Sequence, residues 1–283
     1  MPSVPAELPE LVIDRGHSAR TSNVALSATL QTWRDNDGRL VATGGHDSRA
    51  WWMAWSGLAV FRFGDDGPVA ATPTGDRPDD EIRDIFLRGV VPVVMLARGC
   101  EALHASAVAL GPDGVVALCA ASGTGKSTLA LAMAGLGACH FADDTVVYQV
   151  IHDHPVALTL PFPVRVDAAA RGAAPAAPEA SSGAPGPRFG SALPISRVYQ
   201  LARDASLDPL APHFAAVPGP RRFEVLLAHS HPFEMGSEAR QRAFHTHVLA
   251  VARHTDVWNC RFAPALDALP SLAARILDHA ATT

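Results

Sequence analysis

Lysine is almost missing from this chain. It has 283 residues and 23 basic side chains, and Lys126 is the only lysine among them. A chain rich in alanine and arginine takes arginine as its default cation, so one lysine marks a place where arginine would not serve. An excess of positive charge is missing too. The formal charge of −5 and pI near 6.2 exclude the electrostatic footprint of a nucleic-acid binder. Long apolar runs are absent: the longest, Val90 to Ala97, is interrupted by Pro92 and too short to span a bilayer. The amino terminus, Met1 to Pro5, lacks the basic and apolar regions of a secretory signal. The four cysteines lie far apart with no C-x-x-C pair, which favours reduced thiols over a disulfide framework or a zinc site. These absences together predict a reduced, cytoplasmic protein with no membrane and no nucleic-acid partner.

What is present is enough apolar residue for a full-size core, at 48% of the chain against 18% charged. From Leu40 the pattern turns strand-like. Trp51 to Trp55 and Leu58 to Phe63 are aromatic and apolar, and Asp65-Asp66-Gly67 reads as a hairpin turn into Val69-Ala70-Ala71. This predicts a small β-rich amino-terminal unit over residues 1–95, with its tryptophans in the core. Its connecting helix starts at Asp79-Asp80-Glu81, where acidic residues suit the first turn, and Pro92 kinks or restarts it.

Residues 96–283 alternate strands and helices, the pattern of an α/β core. Strands are expected at Ala102 to Ala109, Val115 to Ala120, Ala138 to Ala142, Val146 to Ile151, Val198 to Ala202 and Val257 to Phe262. Helices are expected at Lys126 to Leu136, Glu238 to Arg253 and Pro270 to Ala280. The alanine-, proline- and glycine-rich stretch 168–193 reads as a mobile loop.

One segment carries chemistry. Ala120-Ala121-Ser122-Gly123-Thr124-Gly125-Lys126-Ser127-Thr128 follows an apolar strand and opens a helix, the context a Walker A loop requires. Such a loop turns backbone N–H groups inward as an anion nest, reinforced by the helix dipole. Gly123 and Gly125 permit dihedrals that a Cβ would block. Lys126 supplies a compact charge to the β- and γ-phosphates, where the planar fork of arginine would not fit. The hydroxyl of Ser127 can hold Mg²⁺. The first glycine of the motif is Ala120 here, which is harmless if that position keeps strand-like dihedrals. The segment predicts binding of a nucleoside triphosphate, most simply Mg·ATP, by Ser122 through Thr128.

Asp143-Asp144 ends the next strand, one crossover helix after the loop. A hydrolase needs one such acid for metal; a kinase needs a second to accept the proton of the acceptor hydroxyl. Neighbouring strand residues point to opposite faces, so the chain must turn there for both to reach one site. His104 lies in an apolar stretch upstream, either as a core residue or as a group at the site. The pairs His152/His154, His229/His231 and His245/His247 offer no third ligand and are not expected to bind metal.

The order of His104, the loop Ala120 to Ser127 and Asp143-Asp144 resembles that of the HPr kinase/phosphorylase family, which pairs a histidine strand, a G-x-S-G-x-G-K-[ST] loop and an aspartate pair. The resemblance covers residues 100–150. It implies an α/β fold with a P-loop core of the type shared by HPr kinases and phosphoenolpyruvate carboxykinases. It further implies ATP-dependent phosphorylation of a serine on a protein or peptide. Asp144 would be the general base, Asp143 and Ser127 would serve Mg²⁺, and His104 would assist near the phosphates; the two aspartates could exchange roles. Arg165 would clamp the γ-phosphate, and a homo-oligomer is implied because HPr kinases form them. The glycine-rich carboxy-terminal signature of those enzymes is absent. The chain is therefore similar to a diverged branch of small HPr-kinase-like proteins, some of which phosphorylate ribosomally made precursors such as lasso peptides. Two other functions stay open: a nucleotide-binding switch that transfers no phosphate, and a plain ATPase.

Overall fold

A computed structural model describes residues 7–16, 29–35, 37–47, 50–160 and 191–282. The chain is mixed α/β and divides into two compact units. One takes the described residues up to Cys100 together with Pro232–Phe244. The other takes those from Glu101 to His231 and from His245 onward. The segment Pro232–Phe244 thus joins a unit that the strand pattern placed within residues 1–95. Among the described residues no helix is long and apolar enough to cross a membrane.

The first unit is built on a six-stranded sheet. Its strands are β1 (Leu11–Ile13), β2 (Gln31–Arg34), β3 (Leu40–His46), β4 (Trp51–Trp55), β5 (Ala59–Phe63) and β6 (Val69–Pro73). β2 to β6 form an antiparallel meander, and β1 adds to β6 in parallel. The alternation of β5 buries Ala59, Phe61 and Phe63, and Trp52 is also buried, so these aromatics are core. Gly67 closes the β5–β6 turn with φ 72°. Helix α1 (Asp79–Ile85) starts on its three acidic residues. A π-helical turn, Phe86–Val90, leads to α2 (Val91–Ala97), which restarts with Pro92 in its first turn.

The second unit holds β7 (Glu101–Leu103), β8 (Ala105–Ala109), β9 (Val115–Cys119), β10 (Cys139–Ala142), β11 (Val146–Ile151), β12 (His154–Leu158), β13 (Ala192–Arg203), β14 (His213–Ala216) and β15 (Asp256–Phe262). Its helices are α3 (Lys126–Gly135), α4 (Gly219–Ala228), α5 (Glu238–His254), which begins in the first unit, and α6 (Leu269–Thr282). The long β13 joins two arrays. Its first residues pair with β12, which continues through β11 to β7. It pairs with β9 from Ile195 and with β15 from Arg197, parallel to both.

Three expectations are corrected here. The strand expected over Ala102 to Ala109 is broken at His104, because β7 pairs with β11 while β8 pairs with β9 and β10. The loop expected over 168–193 ends earlier: Ala192 and Leu193 pair with Leu158 and Ala157 at the start of β13. The rest of that loop, 168–190, and Arg165 lie outside the described residues. The strand expected at Val198 begins six residues earlier, since Pro194 sits where β13 passes from one array to the other and hides the continuity.

The directions of three strands place the site. β8 runs antiparallel to both β9 and β10, so β9 and β10 point the same way. The carboxyl ends of β9 and β10 and the amino end of β8 therefore meet at one edge. β8 and β9 are buried along their whole length. α3 covers one face, packing Leu129, Ala130 and Met133 with Val116 and Leu118 of the sheet and Leu272 and Ile276 of α6. At about 25 cal/mol per Å² of apolar surface, this shared cluster is what anchors the loop between β9 and α3.

Candidate functional site

The loop Ala120 to Gly125 leaves β9 and enters α3 with Gly123 at φ 77° and Gly125 at φ 106°, conformations that glycine tolerates and a β-carbon does not. A β-carbon on Gly123 would meet nothing within 4 Å, so open space stands over the loop. Ala120 is buried and keeps a negative φ, so alanine replaces the motif's first glycine without strain. From the end of β13, Arg203 donates from Nε to the Thr124 carbonyl at 3.1 Å and from Nη2 to the Gly123 carbonyl at 2.9 Å. Those bonds tie the carbonyls of the loop to the end of β13.

Lys126 opens α3 and is buried, 6% exposed. Its ammonium donates to the Ala120 carbonyl at 3.0 Å and lies 3.0 Å from Nε2 of His104. An ammonium only donates, so Nε2 of His104 accepts and its proton resides on Nδ1. Nδ1 lies 3.5 Å from Oδ1 of Asp144. Burial, and then the charge of Lys126, hold His104 below the ordinary histidine range, which keeps it neutral between cation and carboxylate. The same lysine charge opposes the burial that pushes the Cys119 thiol up to about 12.

The strand alternation is broken at the aspartates. β10 ends at Ala142, Asp144 takes φ 63°, and the Thr145 amide closes on the Asp143 carbonyl at 2.8 Å. Left-handed backbone is unusual for aspartate and brings both carboxylates to one edge. Asp143 accepts from the Ser106 hydroxyl at 2.9 Å, while the side chain of Asp144 is 76% exposed. The hydroxyls of Ser106 and Ser127 are 3.3 Å apart. Three hard oxygen donors, on Asp143 just past β10, Ser106 on β8 and Ser127 on α3, thus lie together. Such donors suit Mg²⁺. Among the described residues no group of three or more His, Cys, Asp or Glu side chains is placed to hold a metal.

Two histidines flank this edge. The His104 amide donates to the His229 carbonyl, and the His231 amide to the Ala102 carbonyl, stitching the segment after α4 to the β7–β8 break. The rings of His104 and His231 meet edge to face at 5.3 Å. Burial, then His104, then Lys126 lower His229; burial and His104 lead in lowering His231, with Asp144 opposing. A cavity of about 320 Å³ lies on the other side of the loop, with Thr124, Gly125, Thr128, Leu129 and Arg203 on its walls.

Of the residues expected from sequence, His104, Lys126 and Asp144 form one linked chain, and Ser127 and Asp143 meet through Ser106. Ser122, Gly123, Thr124 and Gly125 shape the loop, while Thr128 faces the cavity. Ser106, Arg203, His229 and His231 at the site were missed. Ser106 could have been noticed as a lone hydroxyl in the apolar run Ala105 to Val108. The others have no local signal, because strand order alone brings them here.

No protein-family model matches the chain. No curated protein matches it in sequence. Among solved structures, one similar chain is the Hpr(Ser) kinase/phosphatase from Coxiella burnetii, with a TM-score of 0.35 and 12% identity, over 63% of this chain and 89% of that one. At that distance the chemistry of the site itself has to carry the function.

Proposed function

We propose that this protein is an ATP-dependent kinase that phosphorylates a serine hydroxyl of a protein or peptide. The observation that carries this reading is the chain from Asp144 through His104 to Lys126, with the carboxylate exposed at its outer end. The glycine loop would cradle the β- and γ-phosphates on its N–H groups, with Lys126 turning its ammonium to their oxygens. Ser127 and Asp143, oriented by Ser106, would hold Mg²⁺, which when bound neutralises charge on the phosphate oxygens.

Asp144 is the base. As the acceptor serine attacks, its O–H proton passes to the Asp144 carboxylate and an oxygen–phosphorus bond forms at the γ-phosphorus. The bond from that phosphorus to the β,γ-bridging oxygen breaks, and ADP leaves. Neutral His104 holds the side chains of Asp144 and Lys126 in register without adding charge beside the phosphates. An exposed base suits an acceptor carried on another chain. A binding switch would need only the loop and the metal residues.

The test is incubation with γ-labelled ATP, Mg²⁺ and serine-bearing peptides. Transfer to serine is expected, with Asp144→Asn slower by about 100-fold or more and ATP binding little changed. Intact ATP binding with no labelled serine on any partner would sink the kinase reading and leave the switch. Release of labelled phosphate alone would leave the ATPase.

A further inference from the structure

A cavity of its own lies beside the loop. It opens directly against Gly125 and Thr128, on the side of α3 away from Asp143 and His104. A nucleotide whose outer phosphates lie over the loop must lead its nucleoside off one side of it. The aspartate side carries the polar side chains of Asp143, Ser106 and His104, whereas this side is a cavity. Its volume, about 320 Å³, is at the small end for ligand pockets and suits a base with its sugar.

The walls are mainly apolar, with Thr124 and Thr128 as the hydroxyl-bearing residues among them. Phe262 at the end of β15, Pro264 and Leu266 in the following turn, and Leu269 on α6 are among the apolar residues that line it. Arg203 completes it. Because its Nε and Nη2 are bonded to loop carbonyls, the guanidinium plane is held in place as a surface on which an aromatic ring can stack. Groups able to read the edge of a base are scarce. No carboxylate or side-chain amide lines the cavity among the described residues. Pro264 has no N–H, and the Ala265 amide already donates to the Ala263 carbonyl.

We propose that this cavity is the nucleobase subsite, and that it takes a purine by apolar contact and stacking with little discrimination between adenine and guanine. Hydrogen-bonding sites reject a wrong partner strongly because their buried groups go unpaired; apolar walls do not. The cavity takes this role only if the loop binds a triphosphate, as proposed above.

Calorimetric titration with ATP, GTP and inorganic tripolyphosphate in Mg²⁺ decides it. ATP and GTP should bind within about fivefold of each other, and each about tenfold or more tighter than tripolyphosphate. Phe262→Ala should weaken both nucleotides about tenfold and leave tripolyphosphate unchanged. Should that variant fail to fold, Leu266→Ser, at a position 69% exposed, gives the same reading with a smaller loss. ATP binding no tighter than tripolyphosphate, unchanged ATP affinity in Leu266→Ser, or a preference for ATP over GTP of about 100-fold would overturn the proposal. Binding of neither ATP nor tripolyphosphate would instead remove the triphosphate loop itself, and this subsite with it.

Discussion

The ammonium of Lys126 lies 3.0 Å from Nε2 of His104, and that contact joins the loop before α3 to the break between β7 and β8. It fixes the histidine tautomer and turns Nδ1 towards Asp144. The only lysine of the chain is therefore buried at the point where three strand ends meet.

Replacing that lysine tests its chemistry. Lys126→Met should cut phosphate transfer by about 100-fold or more, and Lys126→Arg should not restore it, because a planar fork does not fit a buried point-charge site. Steady-state transfer from labelled ATP measures both; an arginine variant of near-normal rate would show that any cation serves.

Ser106→Ala removes the hydroxyl bonded to Asp143 and adjacent to Ser127. A hydrogen bond to a charged group is worth about 1.5–3 kcal/mol. The Mg²⁺ concentration for half-maximal transfer should therefore rise about tenfold or more, with the rate at saturating Mg²⁺ much less affected. Magnesium titrations of the two proteins make the comparison.

Gly114→Ala tests the frame. Gly114 has φ 104°, and an added β-carbon would lie 2.5 Å from the Pro194 carbonyl oxygen. The nearest atom is a backbone oxygen and the next are a proline ring carbon and a β-carbon, none of which is the end of a flexible side chain, so the loss should be about 2 kcal/mol or more. Chemical denaturation followed by far-UV circular dichroism would measure it.

His247→Leu removes a partner of Glu101, a carboxylate with no exposure that lies 2.8 Å from Nδ1 of His247. Taking one partner from a buried charge costs about 3 kcal/mol. Equilibrium unfolding should show that loss, and its absence would mean that the other neighbours of Glu101 suffice.

Stability should fall in mild acid. Burial first lowers His140, His229, His231 and His279 below the ordinary value near 6.5. Their depressed folded values mean that the folded state binds fewer protons than the unfolded chain below about pH 6.5. Their contribution is thus fully present above that pH and is lost as pH falls through the lower folded values. Melting temperatures at pH 7.5 and 5.5 should show a decrease, and a rise on acidification would contradict the sign.

Local chemistry made much of this protein legible in its sequence. Gly123, Gly125, Lys126 and Ser127 in tight order marked the turn from β9 into α3, because the positive-φ positions need glycine. Asp79-Asp80-Glu81 and Pro92 marked helix starts because the first turn has free N–H groups that favour both residue types. β14 and α4 were not seen, since short or weakly periodic segments carry little signal. The pairing of Asp143 with Ser106, the stitching of His229 and His231 to the β7–β8 break, and the grip of Arg203 on the loop were decided only by tertiary structure. Each depends on which strands are neighbours and which way they run, and backbone pairing between distant segments leaves no mark on the residues at either end.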